Sequence, residues 1–154
     1  MNLYEEKLKK FIADNHLVAE HLSFTASCHS VKEAAQAAHA PEDEFVKNIC
    51  MIDASGNLIA AIVKGEDRAS ATLIGKALNI ERPMIATPQE MLERTGYPAG
   101  GTPSFGYSAL FLIDSKVMEK EVVYTGGGSE RSLVRISTKE LHRANSAKIV
   151  RIRK

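Results

Sequence analysis

The sequence predicts an α+β fold, a single domain over residues 1–154 in which helices pack around a mixed, mostly antiparallel, twisted sheet. Apolar residues recur at helical spacing near the start of the chain, at Leu3, Leu8 and Phe11, and predict a first helix to about Asp14. Two apolar runs, 45–53 and 58–63, flank a turn and predict a β-hairpin. No regular alternation of strand and helix and no internal repeat is present, which favours α+β over a parallel α/β sheet. A length of 154 residues suits one domain.

Capping signals place three of the other helices. Ser30, Thr87 and Ser137 are each followed three residues later by a glutamate, the pattern of a capping box. They predict helices over 31–39, 88–95 and 138–143, the second ending at Gly96. The remaining expected elements are a helix over 71–78 and strands over 18–24, 84–86, 109–113, 121–125, 132–136 and 147–152.

Composition restricts the class of protein. Hydrophobic residues make up 44% and charged residues 25% of the chain, as in an ordinary globular domain. No apolar run could cross a membrane, and the acidic start Met1–Lys7 does not resemble a signal peptide, so we expect a cytoplasmic protein. Cys28 and Cys50 form no metal-ligand or redox spacing. We therefore expect free thiols, no metal and no cofactor.

The charge is distributed unevenly. Residues 131–154 contain eight lysines and arginines and one acid, Glu140, although the whole chain has a net charge of only +1. A basic segment on an otherwise acidic chain indicates contact with a polyanion such as RNA. The alternative is a solvated helix face followed by a charged tail.

The segment Gly96–Gly106 contains four of the ten glycines and two of the five prolines. Prolines fix φ and glycines widen the accessible backbone angles, so a stiff loop results whose N–H groups can face a cavity. Such a loop can hold an oxyanion, a phosphate or a ribose. Alone the pattern is weak, because glycine–proline clusters are more often simple turns.

Lys47 stands in the mainly apolar run 45–52. A lysine there either lies on the outer face of the hairpin or meets an anion or carbonyl in a cleft. The charged segment 64–68, with Asp67, follows the partner strand and could rim the same cleft. A serine nucleophile at Ser104 is disfavoured, because the flanking glycines are one residue too far apart for a nucleophile elbow and Pro103 precedes it.

These features occur in an order that resembles one family. They are Val46-Lys47 in a strand, Lys64–Arg68 after its partner, Gly96-Tyr97, Gly100-Gly101, Pro103, Phe105-Gly106, and then Tyr124, Gly127-Gly128 and Leu141. The set resembles the YbaK (YbaK/EbsC-type) aminoacyl-tRNA editing domains, which are related to the insertion domain of bacterial prolyl-tRNA synthetases. The likeness covers about residues 16–145.

The resemblance implies a freestanding deacylase that hydrolyses the ester of a mischarged tRNA, with tRNA-Pro carrying alanine or cysteine as the family expectation. It implies that Lys47 is the principal functional residue and that Gly100, Gly101, Thr102, Pro103 and Gly106 line the pocket. Thr102-Pro103-Ser104 departs from the proline or serine common before a second proline in the family, which could change the amino acid accepted. A histidine used by some relatives for alanine selectivity has no evident match here.

Pocket size would depend on Val46, Met51 and Thr102. The expected partner is the 3′ end of aminoacyl-tRNA, prolyl-tRNA synthetase is a further candidate partner, and we expect the protein itself to be a monomer. Two other hypotheses stay open at this point. The same pocket could bind tRNA ends or a synthetase without hydrolysis, or Ser104 could serve a small-ester hydrolase.

Overall fold

The computed structural model describes residues 2–154 and contains the predicted combination of helices and strands. Its α-helices are α1 (Leu3–Asp14), α2 (Val31–Ala38), α3 (Ala71–Leu78), α4 (Pro88–Thr95) and α5 (Thr138–Asn145). Its strands are β1 (Ala19–Ser23), β2 (Val46–Ile52), β3 (Leu58–Lys64), β4 (Met84–Ile85), β5 (Leu110–Asp114), β6 (Val122–Gly126), β7 (Ser132–Ser137) and β8 (Lys148–Val150). Short 3-10 turns occupy Glu42–Glu44, Ala99–Gly101 and Val117–Glu119.

The α+β class is confirmed, but the strands form two sheets. The first has the antiparallel order β1-β7-β6. The second has the order β4-β2-β3-β5-β8, in which β2 is antiparallel to β3 and to β4, while β5 is parallel to β3 and to β8. A single bridge joins Phe45, just before β2, to Tyr124 in β6, and the two rings stack with centroids 4.7 Å apart. The sheets therefore meet beside the start of β2.

The N-termini of three helices can be compared with the capping boxes that the sequence predicts. Thr87 forms the full capping box with Glu90, and Pro88 occupies the first turn. Ser30 and Ser137 accept the expected N–H of Glu33 and Glu140, but neither glutamate carboxylate returns the bond to the backbone of its cap. The capping-box prediction is wrong in that half for both helices. The Glu33 carboxylate accepts from the Ser30 hydroxyl, and the Glu140 carboxylate accepts from the Val18 N–H and from Arg143.

The core lies on both sides of β3, all of whose residues are buried. On one side Ile62 packs with Leu8 of α1, Tyr97 and Phe105. On the other, Val63 and Ile59 pack with Ile74 of α3. This packing holds β3 in place, and β3 in turn holds its hydrogen-bonded neighbour β2. The edge of β2 that faces away from β3 is therefore fixed in position.

Candidate functional site

A cleft of about 170 Å³ opens where the two sheets meet. Four segments supply most of its lining: 28–31 before and at the start of α2, 45–48 at the start of β2, 99–102, and 124–126 in β6. β4 pairs with β2 only at Met51 and Ile52, so the beginning of β2 presents a free edge to this cleft. Consecutive residues of β2 can line the cleft because it follows that edge.

Lys47 lies in this edge and lines the cleft, half-buried. Among residues 2–154, no hydrogen bond or ion pair engages its ammonium group. The first residues of α2 lie at the same cleft, and the unpaired N–H groups at a helix N-terminus favour negative charge. The two features together give the cleft a positive character suited to an anion or a polarised carbonyl.

The opposite wall is made by two glycine segments that touch backbone to backbone. A Cβ atom on Gly101 would lie 2.3 Å from Ser129 N, and one on Gly126 would lie 2.3 Å from Thr102 O. The N–H of Gly128 donates to the Gly101 carbonyl at 2.8 Å, which ties the segments together. Only glycine permits this approach at Gly101 and Gly126, so the sequence of the wall follows from its geometry.

Two N–H groups of that wall are available to a ligand. The short turn at Ala99–Gly101 is closed by the Gly101 N–H and the Thr102 hydroxyl, which both donate to the Pro98 carbonyl at 2.9 Å. Within the described residues, the N–H groups of Gly100 and Thr102 have no acceptor. Both residues line the cleft, and unpaired backbone donors of this kind can stabilise an oxyanion.

A neutral polar network, formed by Asn48, Thr102, Ser104 and Thr125, ties the wall to β2 and β6. The Asn48 Nδ2 group donates to the Thr102 carbonyl at 2.9 Å and to Thr125 Oγ1 at 3.2 Å. The Ser104 hydroxyl donates to Asn48 Oδ1 at 2.5 Å and lies 2.7 Å from Thr125 Oγ1. Asn48 was not predicted, and the available signal was a second polar residue directly after Lys47 in an apolar strand.

Ser104 does not fit the small-ester hydrolase hypothesis. Its side chain is fully buried, and its hydroxyl is already engaged by Asn48 and Thr125. No histidine contacts it among the described residues. A nucleophile needs access to the substrate and a neighbouring base, and Ser104 has neither.

The structure brings together five of the eight predicted site residues at the cleft: Val46, Lys47, Gly100, Gly101 and Thr102. Pro103 is buried directly behind the wall, where its carbonyl accepts a hydrogen bond from the Tyr107 hydroxyl at 2.8 Å. Gly106 lies elsewhere, beside Phe11 and Leu8 of α1.

Asp67 also lies outside this cleft. Its carboxylate is 3.4 Å from the Lys116 ammonium, and its neighbours Lys64 and Glu66 pair with each other at 2.9 Å. The charged segment 64–68 therefore forms a local ion-pair cluster and supplies no residue to the cleft lining.

The basic C-terminal segment lies mostly away from the cleft. β8 is the outer strand of its sheet, with β5 and β3 between it and β2. Arg153 pairs with the buried carboxylate of Asp114 at 3.0 Å, and Arg143 pairs with Glu140 at 2.7 Å. The last residues form part of the fold, since Lys154 N donates to the Arg68 carbonyl at 2.8 Å.

Both cysteines are free. Cys28 lines the cleft, where burial and the nearby Glu33 carboxylate raise the pKa of its thiol. Burial raises the pKa of Cys50 to about 11. Both thiols are thus protonated at neutral pH, which disfavours a thiolate nucleophile at either position.

Among residues 2–154, no cluster of metal-ligating side chains occurs, and no helix is long and apolar enough to cross a membrane.

Known structures share this architecture over the whole chain. Hypothetical protein APE2540 is 27% identical and superposes with a TM-score of 0.88, covering 96% of this chain and 99% of that one. A protein described as a candidate trans-editing enzyme for prolyl-tRNA synthetase is 24% identical, with a TM-score of 0.90 over 100% of this chain and 99% of that one. A scaffold protein used for presenting grafted linear epitopes is 21% identical, with a TM-score of 0.89 over 100% and 99% of the two chains.

No curated protein sequence matches the chain significantly. The model of the aminoacyl-tRNA editing domain family matches residues 25–144, which include all four segments of the cleft. That match spans well over half of the sequence. The chain therefore belongs to the aminoacyl-tRNA editing domain family.

Proposed function

We propose that the protein is a freestanding deacylase that hydrolyses the ester bond of mischarged aminoacyl-tRNA. The observation that carries the proposal is the pairing, across one small cleft, of an unpaired lysine with two unpaired backbone donors. Family membership supplies the substrate class. Such a substrate is found where tRNAs are charged, so we place the protein in the cytoplasm.

The chemistry needs only modest help, because an aminoacyl ester is already activated. Water adds to the ester carbonyl and forms a tetrahedral oxyanion; the bond to the ribose oxygen then breaks, releasing the amino acid and the tRNA hydroxyl. The N–H groups of Gly100 and Thr102 donate to the oxyanion, a contribution of about 3 kcal/mol per donor in comparable sites. Lys47 holds the terminal phosphate or the substrate carbonyl and orients the ester.

The proton of the attacking water passes through the ribose 2′-hydroxyl or a second water to the departing ribose oxygen, which then leaves as the tRNA hydroxyl. The cleft lining contains no aspartate or glutamate among the described residues, and its one histidine, His29, is exposed and lies beside Glu130, so we propose that substrate and water groups relay this proton. No metal or cofactor takes part in the proposed reaction. The small volume of about 170 Å³ favours a small aminoacyl group, and we propose alanine or cysteine on tRNA-Pro as first substrates.

The 3′ end of the tRNA is the proposed ligand of the cleft, and prolyl-tRNA synthetase is a candidate partner. Three exposed basic residues lie in the first part of the basic C-terminal segment: Arg131 directly before β7, Arg135 in β7 and Lys139 at the start of α5. We assign any phosphate contact to these residues, because several of the more C-terminal basic groups are paired within the fold.

The test is deacylation of Ala-, Cys-, Ser- and Pro-tRNA-Pro by the wild type and by Lys47→Ala. We expect release from one mischarged species and none from Pro-tRNA-Pro, with kcat/KM about a hundredfold lower in the variant. Lys76→Ala is the matched control, since Lys76 is exposed on α3 and away from the cleft. A wild type inert toward all four species would refute the deacylase and favour a non-catalytic binding module, whose tRNA affinity would then fall steeply with salt.

A further inference from the structure

A carboxylate lies beside the cleft without lining it, since Glu130 faces a neighbouring surface depression and contacts the cleft residues His29 and Gly100. The Glu130 side chain covers Gly100: a Cβ atom there would lie 2.8 Å from Glu130 Cγ and 2.9 Å from its Oε1. Its backbone is held in place, because the Cys28 N–H donates to the Glu130 carbonyl at 2.5 Å. The carboxylate is thus presented beside one of the two unpaired N–H donors of the wall.

Glu130 is not committed to a structural ion pair. Among residues 2–154 its only charged contact is with His29, whose Nδ1 is 3.4 Å away, and the two side chains are 62% and 66% exposed. A contact of that length and exposure is weak. The carboxylate is therefore free to accept hydrogen bonds from a ligand that enters between His29 and Gly100.

An aminoacyl ester brings a cation to this position. Its α-amino group is one carbon from the ester carbonyl, and α-amino groups are substantially protonated near pH 7. A carbonyl held at Gly100 therefore places the α-ammonium within reach of the side chain that covers Gly100. The cleft lining itself contains no carboxylate among the described residues, and Glu130 is the carboxylate that lies against Gly100.

We propose that Glu130 binds the α-ammonium group of the substrate and so selects aminoacyl esters over acyl esters without a free amine. This inference depends on the proposed function, since it names the recognition of the same substrate. The charge-assisted bond forms at the rim, where water competes, so its contribution to kcat/KM is modest.

The decisive comparison is between alanyl-tRNA-Pro and lactyl-tRNA-Pro, which differ in having an ammonium or a hydroxyl group at the α-carbon. We expect Glu130→Gln to lower kcat/KM about fivefold on the alanyl ester. On the lactyl ester, we expect the kcat/KM of Glu130→Gln to stay within about twofold of the wild-type value. Glu93→Gln is the matched control, because Glu93 is exposed on α4 and its neutralisation should alter neither value. Equal losses on both esters, or no loss on either, would overturn the proposal.

A binding measurement separates this proposal from the deacylase itself. The probes are adenosines that carry an alanyl or a lactyl group through a stable 3′-amide. We expect Glu130→Gln to weaken only the alanyl amide, by about fivefold in Kd. If the wild type hydrolyses neither ester, the proposed function fails. Independently of that result, the role of Glu130 is refuted if the ratio of the alanyl-amide Kd to the lactyl-amide Kd is the same in Glu130→Gln as in the wild type.

Discussion

The wall of the cleft and the C-terminal segment are both held by buried polar groups, but of different kinds. At the cleft, the amide and hydroxyl groups of Asn48, Ser104 and Thr125 bond to one another and to the Thr102 carbonyl, with no ionised group among them. At the C-terminal segment, the Asp114 carboxylate of β5 accepts from the backbone N–H groups of Ile152 and Arg153 and from the Arg153 guanidinium. Within the segment, the Glu140 carboxylate accepts from the Val18 N–H and pairs with Arg143.

The difference separates the electrostatics of binding from those of folding. A neutral support leaves the electrostatic potential of the cleft to Lys47, the start of α2 and the neighbouring Glu130 carboxylate. The Glu140 carboxylate makes the stability of the C-terminal segment dependent on pH, and we expect this dependence to leave the cleft unaffected. Substitutions in the two regions should consequently have different effects on the free energy of unfolding and on deacylation.

The largest effect should come from the backbone contact in the wall. In Gly101→Ala the new Cβ would lie 2.3 Å from Ser129 N and 2.5 Å from Gly128 C, and backbone cannot rotate away as a side chain can. We expect a loss of about 3 kcal/mol in the free energy of unfolding, measured by urea denaturation, together with loss of deacylation.

Gly100→Ala is the matched variant, because its Cβ meets only the Glu130 side chain, which can move. Its stability should change by less than about 1 kcal/mol. If Gly101→Ala lowered the free energy of unfolding as little as Gly100→Ala, the two glycine segments of the wall could separate without cost, contrary to our expectation.

Asp114→Asn should act on the other region, with a somewhat smaller effect. The carboxylate is fully buried and accepts from the N–H groups of Lys116, Ile152 and Arg153 and from the Arg153 guanidinium. An asparagine would turn an NH₂ group toward donors, so we expect a loss of about 2–3 kcal/mol in urea denaturation.

Asp14→Asn is the control, since its ion pair with Lys10 is largely exposed and contributes little. At a temperature where Asp114→Asn remains folded, its kcat/KM should equal that of the wild type. A fall in kcat/KM without a fall in stability would mean that the tail acts on the cleft.

Local patterns in the sequence predicted the elements well. The helices at Ser30, Thr87 and Ser137 begin where their caps place them, and the hairpin of β2 and β3 lies where two apolar runs flank a turn. These features depend on residues close together in the chain, for which propensity and capping are sufficient. The division of the strands into two sheets was not predicted, because strand pairing across long separations leaves no local signal.

The candidate site was predicted in part for the same reason. Lys47 is conspicuous as a charge in an apolar strand, and Gly100-Gly101 stands out by composition. Asn48 was missed because its partners, Thr102, Ser104 and Thr125, are more than 50 residues away. Asp67 was expected at the cleft because it follows the partner strand, but Lys116 holds it elsewhere.

The smallest predicted effect concerns Glu140 and has a definite pH signature. The Arg143 guanidinium first, and then the Val18 N–H, lower the pKa of Glu140 to about 2 from an ordinary value of 4.5. A carboxylate with a lowered folded-state pKa stabilises the fold fully above the unfolded value, and this contribution disappears as the pH falls from about 4.5 to 2. Glu140→Gln should lower the free energy of unfolding by about 1 kcal/mol at pH 7, because the pair is partly screened by water.

The difference in the free energy of unfolding between the wild type and Glu140→Gln should then become smaller as the pH falls from 4.5 to 2. Urea denaturation at several pH values measures this difference. Glu93→Gln, which removes an exposed carboxylate on α4, should show no such decrease. A constant difference would mean that Glu140 contributes by packing and not by charge. In that case the distinction between a neutral cleft wall and an ionised C-terminal segment would depend on Asp114 alone.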